Sequence, residues 1–66
     1  MQTNELKAEM TRNGLKNSDL AKILGYSEAT TSYKVNGKTE FTNTDIAKIK
    51  LALGLSLNRI DEIFLH

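Results

Sequence analysis

Side chains capable of catalysis are scarce in this 66-residue chain, whereas short polar side chains suited to hydrogen bonding are frequent. There is no cysteine, and the single histidine is the last residue, His66. A histidine- or cysteine-based nucleophilic pair and a zinc site are therefore not expected. No glycine-rich phosphate loop is present, and the carboxylates are spread along the chain. The sequence predicts a protein that is not an enzyme and uses no metal or cofactor.

Four glycines divide the chain into five stretches with helical spacing, and each lies where a helix-ending glycine is expected. The predicted helices run from about Asn4 to Asn13, Asn17 to Leu24, Glu28 to Val35, Asn43 to Leu53 and Leu57 to Leu65. Strand patterns are weak, because the short β-branched run at 29–33 has no neighbouring run to pair with. The sequence therefore predicts an all-α fold of five helices in one domain, residues 1–66.

Charge and hydropathy restrict the possible functions of the chain only weakly. The net charge is +1, and residues 1–53 carry eight basic against six acidic side chains. This balance permits nucleic-acid binding without requiring it. No apolar run approaches the roughly 20 residues that span a bilayer, and the first residues lack the apolar segment of a signal peptide. We expect a soluble intracellular protein that does not bind membranes.

The second and third predicted helices are separated only by Gly25, Tyr26 and Ser27. Gly25 can adopt the positive φ that a tight helix exit requires, and Ser27 can cap the next helix at once. The small Ala21 lets the two helices approach. Helices this short need tertiary packing, so a rigid corner with a projecting third helix is expected. Such a helix, about 10–12 Å across, fits a DNA major groove of about 12 Å.

Residues 17–38 resemble the helix-turn-helix of phage repressor and Cro-type regulators, the lambda-repressor-like class. The matching features are Leu20 and Ala21, Gly25, Ser27, and the sequence NGK at 36–38. The resemblance extends from Leu6 to Phe64 and is greatest to small regulators of temperate phages of Gram-positive bacteria. It implies a transcriptional regulator that binds double-stranded operator DNA in the cytoplasm of a bacterial host cell.

The same resemblance implies which residues read bases and where the chain departs from the class. The third helix would present its outward face to base edges, with Thr31 and Val35 facing inward. The base-reading residues would be Glu28, Ala29, Ser32 and Tyr33. Two core positions are unusual, because Thr31 stands where the class has an aliphatic residue and Lys34 where it often has an apolar one. Lys16 stands where the class has a threonine or serine cap.

Phosphate contacts are expected from the start of the second helix, the segment after the third helix and the start of the fourth. Free N–H groups and short polar side chains at these places suit a phosphate. The predicted residues are Asn17, Ser18, Lys34, Asn36, Lys38, Thr39, Thr42 and Asn43. Thr42 and Asp45 also form a predicted capping box. Asn36 and Gly37 are also expected to form a helix-stop turn, which explains part of this pattern.

The last helix has more apolar residues than one buried face needs. Ile60, Ile63 and Phe64 are the predicted dimer or partner patch, with Ile63 at the edge of a core stripe formed by Leu57, Ile60 and Phe64. Two functions remain open. One is operator binding, with a homodimer as one possible form. The other is a modulator of repression that grips a phage repressor protein through Tyr33, Ala29 and Val35.

Overall fold

The structure is a computed structural model that describes residues 1–66, and it contains five α-helices and no strand. The helices are α1 (Thr3–Arg12), α2 (Asn17–Leu24), α3 (Glu28–Val35), α4 (Asn43–Leu53) and α5 (Leu57–Phe64). The all-α prediction is confirmed. The bounds of α2, α3 and α4 coincide with the predicted ones, whereas α1 begins and ends one residue earlier and α5 ends one residue earlier. None of the helices is long and apolar enough to cross a bilayer.

Every helix contributes at least one side chain to one buried apolar cluster. Its members are Leu6, Met10, Leu20, Leu24, Val35, Ile49, Leu53, Leu55 and Ile63. Phe41 and Phe64 pack against this cluster and meet each other edge to face, with ring centroids 5.8 Å apart. A chain of this length buries only about 60% of its unfolded surface, so each of these side chains carries a large share of the stability.

The corner between α2 and α3 forms as its residues predict. Gly25 has φ +79°, and its N–H donates to the Ala21 carbonyl at 2.8 Å. The Tyr26 N–H donates to the same carbonyl at 3.0 Å. The Ser27 hydroxyl then accepts from the Thr30 N–H at 3.1 Å and caps α3. Only three residues therefore separate the end of the second helix from the start of the third.

A buried polar cluster fixes α4 against this corner. The Tyr26 hydroxyl donates to Asp45 Oδ1 at 2.8 Å, and the Thr42 N–H donates to Asp45 Oδ2 at 3.0 Å. The Thr42 hydroxyl accepts from the Asp45 N–H, which completes the predicted capping box. Burial, the largest influence, raises the pKa of Asp45. The bonds from Thr42 and Tyr26 and the nearby Lys34 charge outweigh it, so this pKa lies below its ordinary value.

A second ionic cluster attaches α5 to α1. Arg59 donates from Nε to Glu9 Oε2 and from Nη2 to Glu5 Oε2, each at 2.8 Å. Glu9 is buried and also pairs with Arg12. The hydrogen bond from Arg59 is the main reason that the pKa of Glu9 is lowered, although burial opposes it. These contacts hold both ends of the chain on one side of the core.

Candidate nucleic-acid interface

The outward face of α3 is open to solvent. Glu28, Ala29 and Tyr33 are exposed, and Ser32 is half-buried. Thr31 and Val35 are buried on the opposite face, as expected. The Thr31 hydroxyl oxygen has no hydrogen-bond partner, so this departure from an aliphatic residue leaves a polar atom unsatisfied in the core. The exposed face offers one carboxylate, two hydroxyls, a methyl group and an aromatic ring, which suit contacts with base edges.

The start of α2 presents unpaired backbone donors. The Lys16 side chain makes no capping hydrogen bond, and the Lys16 N–H instead donates to Asp19 Oδ2 at 2.9 Å. The N–H groups of Asn17 and Ser18 belong to the first helical turn, which has no intrahelical partners for them, and no other backbone group accepts from them. Both residues are half-buried. These donors are free to meet an anion.

The segment after α3 brings together polar side chains and a cation from elsewhere in the chain. Asn36, Lys38 and Thr39 are all exposed. Lys38 Nζ lies 5.4 Å from the centre of the Tyr33 ring, which links a predicted phosphate contact to a predicted base contact. The Asn36 side chain donates to the Ser32 carbonyl at 2.8 Å and accepts from Lys7 Nζ at 2.7 Å.

Lys34 does not lie on this surface, and the prediction of a phosphate contact for it is wrong. Its side chain is 11% exposed. Its Nζ donates to the Glu40 carbonyl at 2.9 Å, lies 3.6 Å from Asp45 Oδ2, and sits 5.0 Å from the Tyr26 ring centre. The ammonium group therefore lies in the interior and already contacts partners there. Thr42 and Asn43, at the start of α4, are exposed as expected.

The chain thus presents an exposed face of α3, unpaired backbone donors at the start of α2 and an exposed polar segment after α3. A family model of the Cro/C1-type HTH DNA-binding domain matches residues 5–63. The chain belongs to this family. No curated protein and no solved structure matches the chain significantly. Its helix-turn-helix is α2 and α3, and membership of a family of DNA-binding domains indicates regulation of transcription through DNA binding.

The predicted dimer patch of this Cro/C1-type domain is largely core. Ile63 is 0% exposed, and Ile60 and Phe64 are half-buried against the core. The prediction that Ile63 lies at an accessible edge is wrong, because α5 turns this residue inward. Leu57, expected in the core stripe, is instead 74% exposed. The exposed apolar side chains of the second half of the domain are Leu51, Leu57 and Leu65.

Two features of this Cro/C1-type domain were not predicted from its sequence. One is the cluster of Tyr26, Lys34 and Asp45, which fixes the corner against α4. The other is Lys7, which α1 places at the end of α3. The sequence contains two weak signals of the Tyr26–Lys34–Asp45 cluster. One is a tyrosine next to a helix-ending glycine, and the other is a lysine at a usually apolar position. No local signal marked the placement of Lys7, because its partner is 29 residues away.

Proposed function

We propose that this Cro/C1-type domain is a phage-type transcriptional regulator that binds operator DNA and controls a lysis–lysogeny-type switch in the cytoplasm of a bacterial host. The supporting observations are the exposed face of α3, the free N–H groups at the start of α2 and the polar segment after α3. Insertion of α3 in the major groove would place the flanking groups at the phosphate backbone. A bound domain would block polymerase at an overlapping promoter.

The roles of individual side chains follow from this docking. Glu28 would accept a hydrogen bond from a cytosine amino group, Ala29 would contact a thymine methyl group, and Ser32 and Tyr33 would read neighbouring bases. Phosphates would be held by the remaining predicted contacts. These are Asn17, Ser18, Asn36, Lys38, Thr39, Thr42 and Asn43.

The test is selection of bound duplexes from a random-sequence pool, followed by salt titration of the selected duplex. Operator binding predicts an enriched sequence and an affinity that falls linearly with log salt. Glu28→Ala and Tyr33→Ala should then change which sequence is enriched. A wild-type protein that enriches no sequence and shows no salt-dependent duplex binding would contradict the proposal.

A homodimer is part of this proposal. Two recognition helices about 34–36 Å apart would match one turn of DNA, and a two-fold dimer needs a self-complementary patch. Leu57 on α5 and Leu65 directly after it are the accessible apolar side chains for such a patch, with Ile60 and Phe64 at its margin. Sedimentation at increasing protein concentration tests this form directly, since a purely monomeric protein would exclude it.

The second candidate is a modulator that binds a phage repressor protein. The observation that favours it is the exposure of Leu51 and Leu57, at 82% and 74%, together with a base-reading face that has no arginine, glutamine or asparagine. The expected contact through Val35 is wrong, because Val35 is buried in the core. Affinity capture from lysogenic cells with and without nuclease separates the two functions, because only a protein partner survives nuclease.

A further inference from the structure

The C-terminal end of α3 has a cation that comes from α1. Lys7 Nζ donates to Asn36 Oδ1 at 2.7 Å, and Asn36 Nδ2 in turn donates to the Ser32 carbonyl at 2.8 Å. The first turn of α1 lies close to the turn that follows α3, since a Cβ placed on Gly37 would be 3.2 Å from Thr3 Cγ2. The position of Lys7 relative to α3 is therefore set by packing as well as by one hydrogen bond.

The Lys7 charge is not neutralised within the protein. None of the ion pairs of the chain includes Lys7, and its side chain is exposed. An ammonium group has three N–H donors, so two remain after the bond to Asn36. Lys34 is closer in sequence to the end of α3, but its ammonium group is buried against Asp45 and the Glu40 carbonyl.

Lys7 also adjoins two of the three groups of predicted phosphate contacts, the start of α2 and the segment after α3. Besides its bond to Asn36, it lines a shallow surface groove together with Lys16 and Asn17, at the start of α2. Asn36 alone is a weak anion ligand here, because its amide nitrogen already donates to the Ser32 carbonyl at 2.8 Å and to the Ser32 hydroxyl at 3.3 Å. A cation beside it supplies the charge that the amide lacks.

We propose that Lys7 of α1 contacts the DNA phosphate backbone, in the role that the sequence predicted for Lys34, and that Asn36 positions its ammonium group. This inference rests on the proposed DNA-binding function. Neutralising one phosphate contributes about −0.9 to the slope of log K against log salt for duplex DNA. Loss of Lys7 should therefore change that slope by a measurable, sequence-independent amount.

The experiment compares Lys7→Met, Lys7→Arg and the matched control Lys48→Met on a short mixed-sequence DNA duplex, by fluorescence anisotropy across a salt series. Lys48 is exposed on α4 and forms no ion pair, so its loss changes the net charge equally. Lys7→Met should flatten the slope by about 0.9, whereas Lys7→Arg and Lys48→Met should keep the wild-type slope. Circular dichroism checks that each variant remains folded.

Asn36→Ala alone should weaken binding while keeping most of the slope, because Lys7 remains charged but is no longer held. In the Lys7→Met background, Asn36→Ala should have little further effect. Equal weakening in both backgrounds would show a direct phosphate contact of Asn36 and overturn the positioning role. An unchanged slope in Lys7→Met, with wild-type binding intact, would overturn this inference and leave the proposed function standing. Equal flattening in Lys7→Met and Lys48→Met would also overturn it, since net charge would then explain both. Absence of wild-type duplex binding would overturn the proposed function and this inference together.

Discussion

The Tyr26 hydroxyl donates to both carboxylate oxygens of Asp45, at 2.8 Å and 3.0 Å. This single bifurcated hydrogen bond joins the turn between α2 and α3 to the first turn of α4, across 19 residues of sequence. The Lys34 ammonium group lies beside the same carboxylate, with Nζ 3.6 Å from Asp45 Oδ2. One buried carboxylate therefore helps to fix the helix-turn-helix against α4, in addition to the shared apolar cluster.

Tyr26→Phe should lower the stability of the fold and reduce its dependence on acid pH. The pKa of Asp45 lies below its ordinary value of 3.8, so its contribution to stability is complete above that value and is lost as pH falls through the folded pKa. Removing the hydroxyl moves this pKa back toward its ordinary value. Urea unfolding across acidic pH measures both effects. Tyr33→Phe is the control, because the Tyr33 hydroxyl is in no hydrogen bond, and equal losses in both variants would contradict the role assigned to Tyr26.

Thr31→Val should stabilise the protein. It removes a buried hydroxyl oxygen that has no partner and keeps the shape of the side chain. Burying an unsatisfied polar group costs about 1–3 kcal/mol in mutational data, so we expect a gain of about 1 kcal/mol and a melting temperature higher by about 4–8 °C. Thr44→Val, the same change at an exposed position of α4, should stay within about 0.5 kcal/mol of wild type. A loss of stability in Thr31→Val would show that its hydroxyl is bonded.

Gly25→Val should destabilise the corner through backbone conformation alone. A Cβ at this position would meet nothing within 4 Å, so there is no steric contact to relieve. The φ of +79° is nevertheless a true outlier for a β-branched residue. Gly25→Asn is the matched comparison, because asparagine tolerates the left-handed region better. Thermal melts should rank wild type, Asn and Val in falling order, and a Val variant as stable as the Asn variant would refute this explanation.

Ile63 and Leu57 should respond in opposite ways to a charge. Ile63 is fully buried, and even its truncation to alanine should cost about 2–5 kcal/mol, so Ile63→Asp should abolish folding. Leu57 is 74% exposed, and Leu57→Asp should change stability by about 0.5 kcal/mol or less. If α5 forms the proposed homodimer, Leu57→Asp should yield a folded monomer by sedimentation. Retained dimers in this variant would exclude Leu57 from the interface.

Loss of Lys38 should weaken DNA binding, whereas loss of Lys34 should lower the stability of the fold. Lys38→Ala should flatten the slope of log K against log salt by about 1 and leave stability nearly unchanged. Lys34→Met should instead lower stability, because it removes the donor to the Glu40 carbonyl and the cation beside Asp45. Salt titrations of duplex binding and urea unfolding of both variants provide the comparison. A flattened slope in Lys34→Met, with stability unchanged, would show that Lys34 contacts DNA and would contradict its assignment to the core.

The sequence by itself determined the five helices and the corner between α2 and α3. The signals that set them act within about four residues. A glycine accepts a positive φ, and a hydroxyl caps the N–H group three residues later. Ser27, Thr42 and Ser56 all cap the helices that they precede. Membership of the Cro/C1-type family could likewise be anticipated, because its motif is contiguous along the chain.

Only the tertiary structure decided which polar and apolar residues face solvent. Helical spacing shows that Leu57, Ile60 and Phe64 share a face, but the neighbouring helices determine how deeply each is covered, and they bury Ile63 instead of Leu57. Lys34 became a core residue because an acceptor in α4 and two aromatic rings surround its ammonium group. These environments arise when segments distant in sequence pack together, so no local pattern contains them.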